Sequence, residues 1–427
     1  MSAVLKSLVF SGIKRDVSIV TVGVFLRALA GLVFAKMAAA SLGVIEYATY
    51  GHFYMFATYV VTASSLGLGN AFSVYVSRTR KAYGEQRDDG SLIILVSLCC
   101  GLIVAGVILG LLLLDPVGDI LPRIKEWNLI WWFAFSVVSS IGASIQSILL
   151  GRQKQILYQF ATILNPVLSC IVLGAFMLLG CISPSIVIYT YMIGFAVPIF
   201  FVFPTIRESL DITRSSINRL KKFSLPYIIP SMLIPTLGTF ATLYVRYLIE
   251  INVSVSDLGL WQGLWRLSEG YMGAIITIGS ALFIPNFSRI TTQKECMYWL
   301  RKAIICLLSV YAPLALSFIL IPKIVVPILL SSQFVGMSTF LPVQILGDML
   351  KICSFVLQLF LTCMVLPRLA LAGEVLFSLA FIGLTFLIEP WMHSPEGAVA
   401  AYGLSYLLVL MLLLPLVLHQ IRKLPSE

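Results

Sequence analysis

Twelve long apolar stretches decide what this chain can fold into. They run over residues 16–40, 47–76, 91–114, 127–150, 156–180, 186–206, 223–249, 258–284, 303–330, 337–366, 369–389 and 397–419. A helix needs about 17–25 apolar residues to cross a bilayer, and only helices and closed barrels satisfy their backbone hydrogen bonds there. Barrel strands alternate apolar and polar residues, whereas these stretches are continuously apolar. The sequence therefore predicts an all-α polytopic membrane protein with twelve transmembrane helices.

The composition agrees with a membrane protein and not with a soluble one. Of the 427 residues, 59% are hydrophobic and 11% are charged, whereas soluble domains carry about 45–50% apolar and about 25% charged residues. The net charge of +10 does not indicate nucleic acid as a partner, because basic loops orient helical membrane proteins. The loops on the N-terminal side hold 21 Lys and Arg residues, and those on the opposite side hold 3. This bias predicts that both termini are cytoplasmic.

The most basic of these loops divides the chain into two halves. It covers residues 207–222 and contains five Lys or Arg residues. The predicted domains are an N-terminal six-helix bundle over 1–206, a cytoplasmic linker over 207–222, and a C-terminal six-helix bundle over 223–427. Transporters that rock two bundles about a central site have this layout. We therefore expect the two bundles to surround a central cavity.

Several charged residues fall inside the apolar stretches, where each costs about 2.5–3.5 kcal/mol on insertion scales. Three pairs of opposite charge lie three or four residues apart on one helix face, so their members could neutralise each other. The pairs are Arg246 with Glu250, Arg266 with Glu269, and Asp348 with Lys351. A structural role is favoured for Arg266. For Arg246, Asp348 and Lys351, structural and functional roles both stay open.

Three further charged residues have no such neighbour. Arg27 lies halfway along the first stretch, too deep for its side chain to reach the interface easily, and this favours a function. Lys36 is nine residues further on and close enough to the outer surface to reach it, so its role stays open. Glu374 is a lone acid in the eleventh stretch. It is either a protonated packing residue or a titrating coupling site.

The remaining motifs concern flexibility and chemistry. Pro226, Pro230 and Pro235 cluster in the seventh stretch, and because proline removes a backbone hydrogen bond, they predict a hinge. The sequence has no CxxC pair or Cys/His cluster, which argues against a metal site. It has no P-loop and no large outside loop, which argues against an enzyme. No cofactor is predicted beyond a coupling ion, H⁺ or Na⁺.

Three sequence blocks resemble one family of transporters. They are LGLWQGLWRLSEGYMGAIITIGSALFIPNFSRIT at 258–291, LPVQILGDMLK at 341–351 and LAGEVLF at 371–377. These blocks look like the Wzx-type flippases of the multidrug/oligosaccharidyl-lipid/polysaccharide exporter (MOP) superfamily. Those flippases translocate undecaprenyl-pyrophosphate-linked oligosaccharides for O-antigen or enterobacterial common antigen. The likeness extends over most of the chain and is strongest in its second half.

The resemblance implies a set of site residues. Substrate-binding positions would be Arg27, Lys36, Asn70, Arg246 and Lys351, and coupling or structural acids would be Glu269, Asp348 and Glu374. Cations on the first helix suit an anionic cargo, since Arg and Lys are natural ligands of a diphosphate. The implied location is the bacterial inner membrane. The implied partners are membrane lipids, the lipid-linked oligosaccharide, a polysaccharide polymerase and a chain-length regulator.

Two other functions stay open at this stage. One is a MATE-like exporter of drugs or small metabolites. The other is a membrane glycosyltransferase, polymerase or ligase that acts on the same lipid. That class usually needs a sizeable outside loop. With the limits of the twelve stretches given above, no outside loop here exceeds about fifteen residues.

Overall fold

The structure is a computed structural model that describes residues 3–64, 69, 72–73, 75–77, 79, 90–114, 129–202, 214–287, 290–364, 366–388 and 394–425. Within these residues the regular structure is helical, and no strand occurs. The α-helices are α1 (Ala3–Ser64), α2 (Gly90–Leu114), α3 (Leu129–Gly151), α4 (Gln155–Leu178), α5 (Pro184–Val202), α6 (Arg214–Asn252), α7 (Val255–Phe287), α8 (Gln293–Leu320), α9 (Pro322–Leu329), α10 (Leu341–Cys363), α11 (Pro367–Ile388) and α12 (Glu396–Ile421). A 3₁₀ helix, Ser332–Thr339, precedes α10. The predicted all-α fold is confirmed.

These helices are long and apolar enough for a membrane protein. In the described part of the chain, nine helices have the length and composition of membrane spans, and two shorter apolar segments lie at Leu92–Gly106 and Pro184–Ala196. Each of the twelve predicted stretches falls on one of the helices, in whole or in part. Helix α1 carries the first two stretches. The protein is therefore a multi-pass membrane protein.

Helix α1 is interrupted at one residue. Gly43 has φ 69° and ψ −178°, outside the helical region, and the helix resumes directly after it. Residues with a Cβ rarely adopt this conformation, whereas glycine does so readily. The interruption lies between the first two predicted stretches, which end at residue 40 and begin at residue 47. Gly43 thus separates two helices, which carry the first two predicted spans and follow each other directly in the chain.

Local signals fix other helix ends. Ser254 caps α7: its Oγ accepts a hydrogen bond from the backbone N–H of Asp257 at 3.0 Å and donates to Oδ2 of Asp257 at 2.6 Å. Beyond α4, Gly180 has φ 68°, and the backbone N–H of Cys181 reaches back to the carbonyl of Phe176 at 3.2 Å. Such a left-handed glycine satisfies the last carbonyls of a helix. The cap places Cys181 in the connection between α4 and α5.

The chain forms two compact units. Unit one contains Met1–Phe34 and Phe53–Thr236, and unit two contains Ala35–His52 and Leu237–Glu427. Packing therefore divides the chain inside α6, one residue after Pro235, and also assigns residues 35–52 to unit two. The limits predicted from the basic loop were 206 and 223. The first part of α6 belongs to unit one because Leu220 packs in the core of that unit.

In unit one, α2 packs against α3, and α4 packs against α5. The buried cluster of this unit consists of Phe72, Tyr75, Val76, Leu92, Ile93, Ile145, Ile148, Leu149, Ala161 and Leu220. Small residues let the helices approach closely, as membrane helices require. Ser136 of α3 donates a hydrogen bond to the carbonyl of Gly101 of α2 at 3.0 Å. Helix α6 remains helical through Pro226, Pro230 and Pro235, so the hinge at these positions stays a prediction.

In unit two, α10 is the central helix. It packs against α7, α8, α11 and α12. Beside it, aromatic rings of α7, α11 and α12 stack into one buried group. The members of this group are Trp261, Trp265, Phe377, Phe381, Tyr402 and Tyr406. The predicted acid Asp348 lies on α10 and is therefore surrounded by other helices.

Candidate substrate and coupling sites

Asp348 is at the centre of a buried polar network. Its side chain is 0% exposed, and its carboxylate accepts hydrogen bonds from two neighbouring helices, α7 and α12, as well as from its own. The donors are Ser268 Oγ at 2.8 and 2.9 Å, Tyr402 Oη at 2.8 Å, Gln344 Nε2 at 3.1 Å and Tyr271 Oη. Such donors stabilise a buried carboxylate without a cation. The network can hold a negative charge.

Lys351 does not pair with Asp348. Within the described residues no ion pair joins them, although they are three positions apart on α10. The Lys351 Nζ instead lies over two rings of α12, at 5.8 Å from the centre of Tyr402 and 5.9 Å from that of Tyr406. A cation over an aromatic face is attracted by the ring quadrupole. Tyr402 thus contacts both predicted residues, the acid through its hydroxyl and the base through its ring.

The third predicted residue of this region, Glu374, lies on α11 and is largely buried. Its polar neighbours include Gln358 and Lys351 of α10. Helices α10 and α11 approach closely here: a Cβ at Gly373 would lie 3.2 Å from the Gln358 Nε2. The structure therefore brings Asp348, Lys351 and Glu374 into one region of unit two, around Tyr402 and Tyr406.

Glu269 is separate from that network, although the adjacent Ser268 belongs to it. Its Oε1 accepts a hydrogen bond from Trp265 Nε1 at 2.8 Å, and its Oε2 lies 3.9 Å from Arg266 Nη1. The Glu269 side chain is 37% exposed. The structural pairing of Arg266 with Glu269 is present.

Arg246 is fully buried and held by protein groups. Its guanidinium donates hydrogen bonds to Ala48 O at 2.9 Å, His52 Nδ1 at 3.4 Å and Gln262 Oε1. It also lies 5.7 Å from the ring centre of Trp261. Glu250, the partner expected from sequence spacing, is instead 3.3 Å from the other nitrogen of His52. Arg246 therefore binds the protein itself in this conformation.

Lys36 is also held by the protein. Its Nζ donates to the carbonyl oxygens of Ile328 at 2.5 Å and Pro327 at 3.5 Å, in the last turn of α9. A cation there satisfies free carbonyls and complements the helix dipole. Lys36 and Arg246 both belong to unit two.

Arg27 differs from both. It is half-buried on α1 in unit one, and no hydrogen bond or ion pair joins it to any residue that the structure describes. One turn further on, a Cβ at Gly31 would meet nothing within 4 Å. Positions four apart share a helix face, so Arg27 has open space beside it. The remaining predicted ligand, Asn70, lies outside the described residues.

The residues that sequence reasoning missed are uncharged hydrogen-bonding groups. They are Ser268, Tyr271, Gln344 and Tyr402 around Asp348, and His52 and Gln262 around Arg246. Gln344 is four residues before Asp348, so helical spacing could have indicated it. The others come from different helices or distant positions, and nothing in their spacing points to their partners.

Comparison with known proteins shows which family the chain matches. Residues 13–291, well over half of the chain, match the family described as "Polysaccharide biosynthesis protein". The chain belongs to this polysaccharide biosynthesis protein family. This match and the two flippases described next confirm the resemblance to flippases that the sequence indicated.

Two curated relatives are also similar to the chain. The lipid III flippases of Escherichia coli K12 and Shigella flexneri are each 25% identical over 193 residues. That match spans 44% of this chain and 44% of each curated relative, less than half of their length. Both relatives are transport proteins by name.

Solved transporter structures show the same fold. An inward-facing multidrug resistance MATE transporter superposes with a TM-score of 0.73 at 13% identity, over 93% of this chain and 94% of its own. An outward-facing MATE structure gives 0.67 at 14% identity, over 96% and 95%. A MOP superfamily transporter from Pyrococcus furiosus with reverse pocket polarity gives 0.68 at 13% identity, over 96% and 95%. At these identities the likeness establishes the fold alone.

Proposed function

We propose that this protein is a flippase that moves a lipid-linked oligosaccharide across the bacterial inner membrane by alternating access. The observation that carries the proposal is the similarity to two lipid III flippases within a family of polysaccharide biosynthesis proteins. The cargo would be an undecaprenyl-pyrophosphate-linked repeat unit, which passes from the cytoplasmic to the periplasmic leaflet. The bias of Lys and Arg among the loops supports cytoplasmic termini. A polymerase and a chain-length regulator would then receive the cargo outside.

Arg27 is the side chain best suited to meet the diphosphate. It is a cation beside open space, without a protein partner among the described residues. A guanidinium binds a phosphate through two parallel hydrogen bonds, which an ammonium cannot do. Asn70 and Lys351 would add polar contacts along the path of the substrate.

Asp348 is the proposed coupling site for H⁺ or Na⁺. Its carboxylate is buried among four donor residues, and three of them are hydroxyls that can rotate to donate or accept. The site can therefore adapt to a protonated or cation-bound carboxyl without a change in the helices. Glu374 and Glu269 would act as nearby acids that adjust the local charge.

The experiment uses purified protein in liposomes with a fluorescent undecaprenyl-pyrophosphate-linked disaccharide. Transport is followed through quenching of the probe by impermeant dithionite. We expect Arg27→Ala to lower the rate about tenfold or more, because a hydrogen bond to a charged group contributes about 1.5–3 kcal/mol and about 1.4 kcal/mol equals tenfold. Arg27→Lys should keep part of the rate, since the charge remains.

Two controls make this test specific. Lys154→Ala removes an exposed cation of the same unit, between α3 and α4, and should leave the rate unchanged. The same lipid with a monophosphate should be moved poorly by the parent protein. Transport of the cationic dye ethidium instead of the lipid would contradict the proposal and favour a MATE-like exporter. A parental rate for Arg27→Ala would remove Arg27 from the site.

A further inference from the structure

Residues 35–52 of α1 have an unusual position in the chain. They pack in unit two, whereas the residues before Ala35 and after His52 pack in unit one. We call residues 35–52 the latch segment. The chain therefore passes between the two units at both ends of this segment.

The latch segment lies directly against the backbone of unit two. A Cβ at Gly259 of α7 would come within 2.0 Å of Val44 O, and a Cβ at Gly51 would come within 2.4 Å of the Gln262 side chain. Tyr47 meets Phe334 edge-to-face, with ring centres 5.2 Å apart. At Gly259 the close atom is a backbone oxygen, so this approach requires a glycine there.

Polar contacts hold the two ends of the segment. Near its start, Lys36 donates to the last carbonyls of α9. Near its end, Arg246 donates to Ala48 O and to His52 Nδ1. All of these acceptors are protein atoms. Lys36 and Arg246 both donate to main-chain carbonyls, and His52 accepts from Arg246. Groups arranged in this way fix the position of a segment and leave few donors for a ligand.

We infer that Lys36, His52 and Arg246 are positioning residues that hold residues 35–52 on unit two as a latch, which opens during each transport cycle. The inference rests on the proposed function, because alternating access requires the two units to move. The backbone is regular helix at both crossings, and the one non-helical residue, Gly43, lies inside the latch segment. Sharp helix kinks form at identifiable irregularities, whereas regular stretches only curve gently. When the units move, the contacts of the latch therefore break before the helix bends at its crossings.

A disulfide can test whether the latch opens. The ideal Cβ at Gly51 lies 2.6 Å from Gln262 Cγ, so the Cβ atoms of Gly51→Cys and Gln262→Cys would be within about 4.1 Å, inside the range of about 3.5–4.5 Å for a disulfide. In a background without the eight native cysteines, oxidation should stop transport of the fluorescent disaccharide lipid. Reduction should restore it. Equal rates for the fully oxidised and reduced protein would overturn the inference.

The chain offers a matched control pair. Ser64 and Ser139 both belong to unit one, and their Oγ atoms are 3.0 Å apart. Ser64→Cys with Ser139→Cys should therefore form a disulfide inside one unit. Oxidation of this pair should leave transport unchanged, which separates the effect of the latch from the effect of the oxidant.

A second measurement tests the positioning role without any substrate. Ala48 is 1% exposed within the latch segment, and Ala401 is 0% exposed on α12. In cysteine-free protein with Ala48→Cys, Lys36→Met should raise the rate of alkylation by a polar maleimide about tenfold, which corresponds to about 1.4 kcal/mol for opening. Lys36→Arg, which keeps the donors, should stay near the slow parental rate.

Ala401→Cys reports whether Lys36→Met loosens unit two in general. Its alkylation should stay slow in every variant. An unchanged rate at position 48 in Lys36→Met would refute the positioning role of Lys36. Because alkylation needs no transport, a protein that fails to move the lipid can still support or refute the latch, so the two proposals fail independently.

Discussion

The carboxylate of Asp348 shows how a charge can be buried in this protein without an ion pair. A buried donor that loses its acceptor costs about 1–3 kcal/mol, and Asp348 supplies the acceptor for four side chains. The side chain therefore contributes to folding as well as to any coupling. A substitution that removes charge but keeps hydrogen bonding can separate these two roles.

We predict that Asp348→Asn accumulates like the parent but loses coupling. The amide retains one acceptor oxygen, and the surrounding hydroxyls can rotate to accept from its NH₂ group. Asp348→Leu leaves the hydroxyls of Ser268, Tyr271 and Tyr402 without their common acceptor and should reduce protein abundance. In liposomes, transport by Asp348→Asn should no longer respond to an imposed proton or sodium gradient. If the gradient still drives Asp348→Asn at the parental rate, Asp348 is structural.

A double variant tests the alternative of a simple ion pair. If Asp348 and Lys351 stabilised each other, Asp348→Asn would lower abundance and added Lys351→Met would restore it, since breaking a buried pair leaves one charge alone. The position of Lys351 over Tyr402 and Tyr406 argues against this. We expect both variants to keep the parental abundance, and the second substitution should not restore coupling.

At the scale of helices, sequence reasoning located the elements but not their partners. Continuous apolar stretches and the gap before residue 47 predicted the spans, because the bilayer sets helix length. Spacing on one helix also indicated that Arg266 lies beside Glu269. The same rule paired Arg246 with Glu250, yet Arg246 binds Ala48, His52 and Gln262. Contacts between helices depend on packing over long sequence separations, which spacing along one helix does not encode.

Two glycines of α7 give a test at the same scale. A Cβ at Gly259 would meet the backbone oxygen of Val44 at 2.0 Å, whereas a Cβ at Gly273 would meet nothing within 4 Å. Gly259→Ala should therefore lower the melting temperature of the purified protein, because a backbone atom must move. Gly273→Ala should leave it unchanged or raise it, since alanine favours a helix by about 0.5–1 kcal/mol over glycine.

This comparison has a clear opposing outcome. Both substitutions add one methyl group to the same helix, so their effects on helix propensity are equal. A melting temperature for Gly259→Ala equal to that of Gly273→Ala would mean that α7 and the latch segment are not in close contact in the protein.

At the scale of the whole molecule, charge and packing divide the chain differently. The basic loop at 207–222 marks the middle of the sequence, whereas the boundary between the compact units falls after residue 236 in α6, and residues 35–52 belong to unit two. Loop charge follows from orientation in the membrane, and packing follows from side-chain fit. The sequence therefore predicts the spans, and their direction stays a prediction, whereas the membership of each unit requires the structure.

The direction of the spans can be tested with a natural thiol. Cys181 is exposed in the connection between α4 and α5, and the loop charges place this connection on the outer side, because the predicted fifth span leads outward from a cytoplasmic loop. An impermeant maleimide added to spheroplasts should label the parent protein, and Cys181→Ser should abolish that labelling. In the cysteine-free background, Lys154→Cys lies one helix earlier, in the exposed connection between α3 and α4. It should be labelled only after the membrane is opened. The opposite pattern at these two positions would invert the whole topology, with both termini outside.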